Sequence, residues 1–313
     1  MCKLIKFAFK VFFAIVGFIL SLVVVALVAL NLLKFGIYQQ YYNMEESICI
    51  NPGLNEGLVP QGIAVSEEED VILTCGYMKD GSNSRIYITN TKNESSYVKL
   101  TKNGEAFTGH AGGVALSGDT VYLANGKKIY SIPLSTILSG SEYVEVGQGV
   151  SVNNSASFAF ADDEYLYVGE FHDGGAYVTD HEVETNDGKY YAICTQYALS
   201  DLTTPVRIYS IRNKVQGFCV TDNGTIVLST SYGLKSSEYY VYESDKIVDS
   251  TTTYMGAPLY ILDDYSYMVS GPAMSEDLSY ANGKVYCLTE SACNKYIFGK
   301  FFFANHIYTL DIE

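Results

Sequence analysis

The sequence predicts an all-β domain, a β-propeller of five blades with six as the alternative, preceded by one transmembrane α-helix. Two observations carry this. The run from Val11 to Leu33 is apolar throughout and holds no charged residue. Behind it one phrase recurs: an apolar run, a tight turn, then a second apolar run ending in small or polar residues. It reads PQGIAVSEEEDVILTCGY from Pro60, AGGVALSGDTVYLANG from Ala111, ASFAFADDEYLYVGEF from Ala156, VQGFCVTDNGTIVLSTSYG from Val215 and SEDLSYANGKVYCLTES from Ser275. Each copy is a β-hairpin, most clearly at Asp222-Asn223-Gly224, where Asn-Gly supplies residues that accept positive φ. The starts fall roughly 45 to 60 residues apart, the spacing of propeller blades. The chain divides into a cytoplasmic tail at 1–10, an anchor at 11–33, a connector with a closing strand at 34–59 and the propeller at 60–313.

The N-terminal run is long enough to span a bilayer core, which takes about 20 residues, whereas the apolar part of a cleavable signal peptide is nearer 7 to 15. It reads as an uncleaved anchor, with an unusually long signal peptide as the alternative. Lys3, Lys6 and Lys10 precede it and only Lys34 closely follows. The positive-inside rule then puts the N-terminus in the cytoplasm and the propeller outside the cell membrane.

The rest is folded, not tail-like. The chain is 48% hydrophobic and 14% aromatic, with 28 Tyr, 15 Phe and no Trp, too apolar for disorder. Alternating runs such as Tyr165-Leu166-Tyr167-Val168 and Glu238-Tyr239-Tyr240-Val241-Tyr242 are strand material. Beyond residue 34 the chain holds 16 basic and 35 acidic residues, a net of −19. Such a surface repels a phosphate backbone, which excludes nucleic acid as a partner.

In the connector, Tyr38 to Tyr42 suits a membrane interface, and Ser47 to Ile50 is an apolar segment expected to pair with Ile307 to Ile312, covering an edge that would otherwise invite aggregation. The first blade takes Ile63–Ser66, Val71–Cys75, Arg85–Thr89 and Tyr97–Leu100; the second takes Gly113–Leu116, Val121–Ala124, Lys128–Ile132 and Tyr143–Val146. The third takes Phe158–Ala161, Tyr165–Glu170, Tyr191–Tyr197 and Val206–Ile211, with an insertion from His172 to Lys189. That insertion carries His172, Asp173, Asp180, His181, Glu182, Glu184 and Asp187; it reads as a solvated polar loop, or as a binding loop on a rigid face. The fourth blade runs from Val215 through Glu243, and Pro258–Leu262 with Tyr267–Val269 form an outer strand plus a connector, or remnants of a sixth blade. The last blade has Asp277–Tyr280, Lys284–Leu288 and Ile307–Ile312.

The Pro-Gln-Gly-apolar-Ala phrase at Pro60, echoed near Gln216, resembles the NHL-repeat, gluconolactonase and calcium-dependent lactonase group of β-propellers over residues 60–313. The sequence has no WD dipeptide and no repeated kelch di-glycine. The resemblance implies a Ca²⁺ on the central axis, held by acidic and amide side chains at the channel mouth.

The first strand of each blade lines the channel, so aligned starts form a ring: Gln61, Gly112, Ser157, Gln216 and Glu276, with His110 just before the second. Where the second strands end, the aligned residues are Cys75, Asn125, Glu170, Thr230 and, one further on, Glu290. Because the strands are antiparallel, both levels lie at one end of the axis. The expected ligand-binding set is therefore His110, Glu170, Gln216, Glu276 and Glu290. Glu170, Glu276 and Glu290 are the carboxylates available to a metal, which as Ca²⁺ needs several oxygens; the alternative is a water-filled channel whose polar groups satisfy strand ends.

A nucleophilic triad finds no support: Ser231 is not in a G-x-S-x-G elbow, and there is no phosphate loop or CxxC pair. Of seven Cys, six follow the anchor, enough for three disulfides, but their strand positions favour buried free thiols. The predicted function is a membrane-anchored, extracytoplasmic binding module for a small molecule or protein; the alternative is a metal-dependent lactonase or esterase.

Overall fold

A computed structural model describes residues 2–312, with side chains from Ile5 onward. Helix α1 spans Cys2–Ile37 and carries the long apolar run, whose side chains are exposed along almost its whole length. It is apolar and long enough to cross a membrane.

Five sheets arranged around an axis follow, with a sixth, two-stranded one, Val183–Thr185 and Gly188–Tyr190, in the insertion of the third. Blade 1 is Leu58–Ser66, Val71–Met78, Arg85–Asn90 and Ser95–Lys102; blade 2 is Gly113–Ser117, Thr120–Asn125, Lys128–Pro133 and Val150–Ser151. Blade 3 is Phe158–Ala161, Tyr165–Gly169, Ala192–Ala198 and Asp201–Ile211, and blade 4 is Val215–Val220, Ile226–Thr230, Ser237–Tyr242 and Tyr267–Gly271. Blade 5 is Ser275–Ala281, Lys284–Thr289 and His306–Leu310, completed by Glu45–Ile50 from the N-terminal side. The closing strand pairs antiparallel with the last one, Ser47 opposite Tyr308 and Ile50 opposite His306. This joins the two ends of the propeller and leaves neither as a bare edge. The first strands of successive blades pack on one another around the ring, from blade 1 through blade 5 and back to blade 1.

Two outer strands are exchanged between blades. Tyr143–Glu145, expected in blade 2, pairs parallel with Ser95–Lys102 of blade 1, and Val150–Ser151 takes its place. Ala257–Ile261 pairs parallel with blade 3, and of the two only Tyr267–Gly271 belongs to blade 4, so the described residues form no sixth blade. Parallel add-on strands are invisible to hairpin spacing because their partners lie far away in sequence. The Asp222-Asn223-Gly224 turn also differs from expectation. Only Gly224 has positive φ, 82°, while the Asn223 side chain accepts a hydrogen bond from the Thr225 N–H at 3.0 Å.

The tyrosines fill the wedges between blades. Tyr167 and Tyr209 pack on Phe218 at ring distances of 5.2 and 5.9 Å, joining blades 3 and 4. Within the connector, two tyrosines are core residues. Helix α2, Gln39–Met44, buries Tyr41 against Tyr239 at 5.6 Å, and Tyr38 is buried with its hydroxyl 2.9 Å from Ser236 Oγ. These rings were expected at a membrane interface; the groove between blades 4 and 5 takes them because it offers both apolar walls and hydroxyl partners. Cys49, Cys75, Cys194, Cys219, Cys287 and Cys293 are buried free thiols.

Candidate functional site

The blades meet closely at the axis. A Cβ on Gly62 would lie 2.5 Å from the Val114 nitrogen of blade 2, and the same clash recurs from Gly113 to Ala159 and from Gly217 to Leu278. Glycine at this level lets neighbouring backbones touch. Blade 5 has Asp277 at the equivalent place. Its carboxyl crosses the closing seam, accepting the Ile63 N–H of blade 1 at 3.2 Å and the Leu278 N–H at 3.0 Å. Full burial pushes that carboxyl well above the ordinary range, although the two N–H groups favour its charged form.

One residue earlier the ring turns polar, by way of β-bulges. The pairing shifts between Pro60 and Gly62, between Val215 and Gly217, and between Ser275 and Leu278. An unpaired bulge residue can be re-aimed out of the strand, and here Gln61, Gln216 and Glu276 are those residues. Blades 2 and 3 pair without a shift at this level, so Gly112 and Ser157 add nothing comparable.

Glu276 and Glu290 hydrogen-bond to each other, with 5% and 9% of their surfaces exposed. Gln216 Nε2 lies 3.4 Å from Glu276 Oε1, and the Gln61 side chain, whose Nε2 donates to the Pro60 carbonyl at 2.7 Å, favours the charged form of Glu290. Burial raises both carboxyls, Glu276 well above the usual range and further through the Glu290 charge, and Glu290 to about 7. Near neutral pH the pair therefore keeps a proton, as two carboxyls in one dry site do.

An aromatic rim leads from the pair to solvent. Tyr77 and Tyr296 hydroxyls are 3.4 Å apart, Lys295 donates to Tyr77, and the His110 ring lies 4.7 Å from that of Tyr77. Desolvation at this mouth, then the Lys295 charge, hold the His110 imidazole below its usual range. Of the five expected residues, Gln216, Glu276, Glu290 and His110 thus share one mouth built by blades 4, 5, 1 and 2.

Glu170 is elsewhere. Its carboxylate accepts the Ser155 N–H at 3.0 Å and the Ile193 N–H at 3.3 Å, and His181 Nε2 lies 3.3 Å away. His181 in turn meets the Tyr254 hydroxyl at 3.0 Å. Blade 3 lacks the bulge, so Glu170 is spent on its own blade and on the insertion, which is an ordered cap. There His172 is buried, with Nδ1 2.9 Å from Thr179 Oγ1, and Asp173 accepts the N–H groups of Gly175 and Tyr177. The expected metal set of Glu170, Glu276 and Glu290 is accordingly not assembled: among the described residues no group of three or more His, Cys, Asp or Glu side chains could hold a metal ion. Two carboxyls bonded to each other and to amide N–H groups do not fit a calcium ion, which needs six to eight free oxygens.

Asp277, Tyr77, Lys295 and Tyr296 were not singled out by the sequence. Asp277 had a signal, since it stands where three aligned hairpins carry glycine, Gly62, Gly113 and Gly217. Two clefts lie apart from the carboxyl pair: one of about 390 Å³ beside Thr221, Glu243 and Tyr267, and one of about 500 Å³ beside Arg212, Tyr240 and Asp263.

No family model matches the sequence, and no curated protein matches it. Among solved structures the chain is similar to hydrazine synthase of Kuenenia stuttgartiensis (10% identity, TM-score 0.40, 73% of this chain and 55% of that one). It is also similar to the PQQ-bound aldose sugar dehydrogenase of Streptomyces coelicolor (14%, 0.46, 78% and 76%) and to the WD40 propeller domain of Doa1 (10%, 0.41, 78% and 79%). The class the fold defines is a five-bladed β-propeller with a long apolar N-terminal helix.

Proposed function

We propose that the protein is a membrane-anchored binding module, held by α1 with its short N-terminus in the cytoplasm and its propeller outside, and that the Glu276–Glu290 mouth recognises a cationic amine on a ligand. The observation that carries this is the buried carboxyl pair itself. It keeps a proton because burial disfavours a second charge and Lys295 at the rim offsets that cost only in part, and an amine arriving at the pair itself would supply a closer counter-ion and release that proton. The acidic exterior concentrates cations near the face, and the Tyr77 and Tyr296 rings, which already hold the Lys295 ammonium at 4.6 and 5.0 Å, form a rim that accepts a cation and would take the ligand's amine in exchange for Lys295. The lactonase-like resemblance would require a calcium ion here, which the donor set does not favour.

The test is a thermal melt of the full chain in detergent, with and without spermidine, Ca²⁺ or EDTA. At 100 times its Kd a ligand adds about 2.7 kcal/mol to stability. Spermidine is expected to raise the melting temperature more at pH 8 than at pH 6, and Glu276→Gln and Glu290→Gln are expected to abolish the response. No spermidine response in the wild type overturns the amine reading. A calcium response lost in both variants would establish the metal-dependent alternative in its place.

A further inference from the structure

The 3₁₀ helix Ile297–Phe302 lies against the end of α1. Asn31, near the end of the apolar run, donates from Nδ2 to the Lys300 carbonyl and accepts from the Phe303 N–H, both at 3.1 Å. Lys34 Nζ donates to the Phe303 carbonyl at 2.6 Å. Three bonds over one helical turn fix the depth of this segment relative to α1. Along an α-helix the rise is about 1.5 Å per residue, so Asn31 to Lys34 covers roughly 5 Å.

The segment is apolar and open. Ile297 and Phe298 are 76% and 66% exposed, and Phe303 is exposed beside them. Its one charged residue, Lys300, turns inward, with Nζ 2.7 Å from the Ala292 carbonyl and 3.3 Å from Asn294 Oδ1. Nothing on the segment therefore opposes an apolar surrounding, and the end of the apolar run on α1 is continuous with it.

We infer that Ile297, Phe298 and Phe303 form a second membrane contact, seated in the lipid interface beside α1 and fixing the tilt of the propeller on the bilayer. This rests on the reading of α1 as a membrane anchor. If α1 spans the bilayer, the Asn31 and Lys34 bonds hold the segment at the level where the apolar run ends, the zone where aromatic side chains concentrate. The segment and Glu290 leave the same end of blade 5, so the carboxyl mouth opens on the end of the propeller that faces the lipid.

The chain has no Trp, so single substitutions can report depth. Phe298→Trp, Ile297→Trp, Phe18→Trp in α1 and Glu68→Trp, in an exposed turn at the opposite end of the strands, would each be reconstituted as the full chain into phosphatidylcholine vesicles. The vesicles would be made with and without lipids brominated near the headgroup end of the acyl chain. Phe298→Trp and Ile297→Trp should each lose emission in the vesicles brominated near the headgroup, because an indole there sits at the membrane interface, and Glu68→Trp should lose none. Phe18→Trp, quenched best by lipids brominated deeper, reports the anchor independently. If Phe18→Trp is quenched while both segment variants emit like Glu68→Trp, the second contact is wrong and the anchor stands. If Phe18→Trp is unquenched, the anchor falls and the inference with it.

Discussion

Replacing Glu290 by Gln should stabilise the protein in neutral and basic solution and do nothing in acid. The folded pKa of Glu290 is about 7 against an ordinary 4.5, because burial disfavours its charged form. Between those values the folded chain holds a proton that the unfolded chain has lost, so stability is greatest below the unfolded value and falls as pH rises through the folded one. A shift of that size is worth about 3 kcal/mol, all of it absent from the wild type by about pH 8. Gln has no proton to lose and retains an oxygen and an N–H for Gln61 and Glu276. For a chain of this size 1 kcal/mol moves the melting temperature by about 2–4 °C, so E290Q should melt about 6–12 °C higher than wild type at pH 8 and level with it near pH 4.5. The assay is the near-ultraviolet circular dichroism of the tyrosines, followed on heating the full chain in detergent. Taking the difference between variant and wild type cancels the groups that do not act on Glu290, including Asp173 and Asp201, which their hydrogen bonds hold near 2; Glu276 does not cancel, and because the Glu290 charge raises its carboxyl, removing that charge acts in the same direction. A difference that stays flat from pH 5 to pH 8, or that turns negative at pH 8, would show that Glu290 is charged in the folded state and refute the reasoning.

Gly62→Ala places a methyl 2.5 Å from the Val114 backbone nitrogen, so it should cost about 1–3 kcal/mol in urea unfolding. Gly175→Ala, whose Cβ would meet only the Asp173 side chain at 3.7 Å, should fall within about 0.5 kcal/mol of wild type. Tyr41→Ala empties a fully buried site between α2 and blade 4, and the same measurement should show a loss of about 3–5 kcal/mol, as for other buried aromatics. An unfolding free energy unchanged by Tyr41→Ala would mean that the packing of α2 on blade 4 adds nothing to the propeller's stability.

Much of the architecture could be read from the chain before folding, because it is local. Each blade's inner hairpin is written in neighbouring residues, and the alternation of Tyr and Val with polar residues gives a strand its face wherever it packs. The apolar run of α1 needs only its own length to be recognised. The closing strand was also within reach, since a blade of three strands ending at Leu310 leaves one edge to cover and Ser47–Ile50 is the apolar segment in the connector able to cover it.

What the tertiary structure alone decided depends on pairs distant in sequence. Tyr143–Glu145 and Ala257–Ile261 join the neighbouring blade by parallel pairing, which carries no turn signal. Tyr38 and Tyr41 have the same composition as a membrane-interface belt and are core residues only because a groove exists to receive them. At the mouth, alignment put Glu170 level with Glu276 and Glu290, but side-chain direction in a strand reverses with a shift of one residue. The bulges at Gln61, Gln216 and Glu276 supply that shift in blades 1, 4 and 5, whereas blade 3 lacks it and turns Glu170 onto the backbone of Ser155 and Ile193. A bulge is a property of two strands in register, so no single strand's sequence contains it.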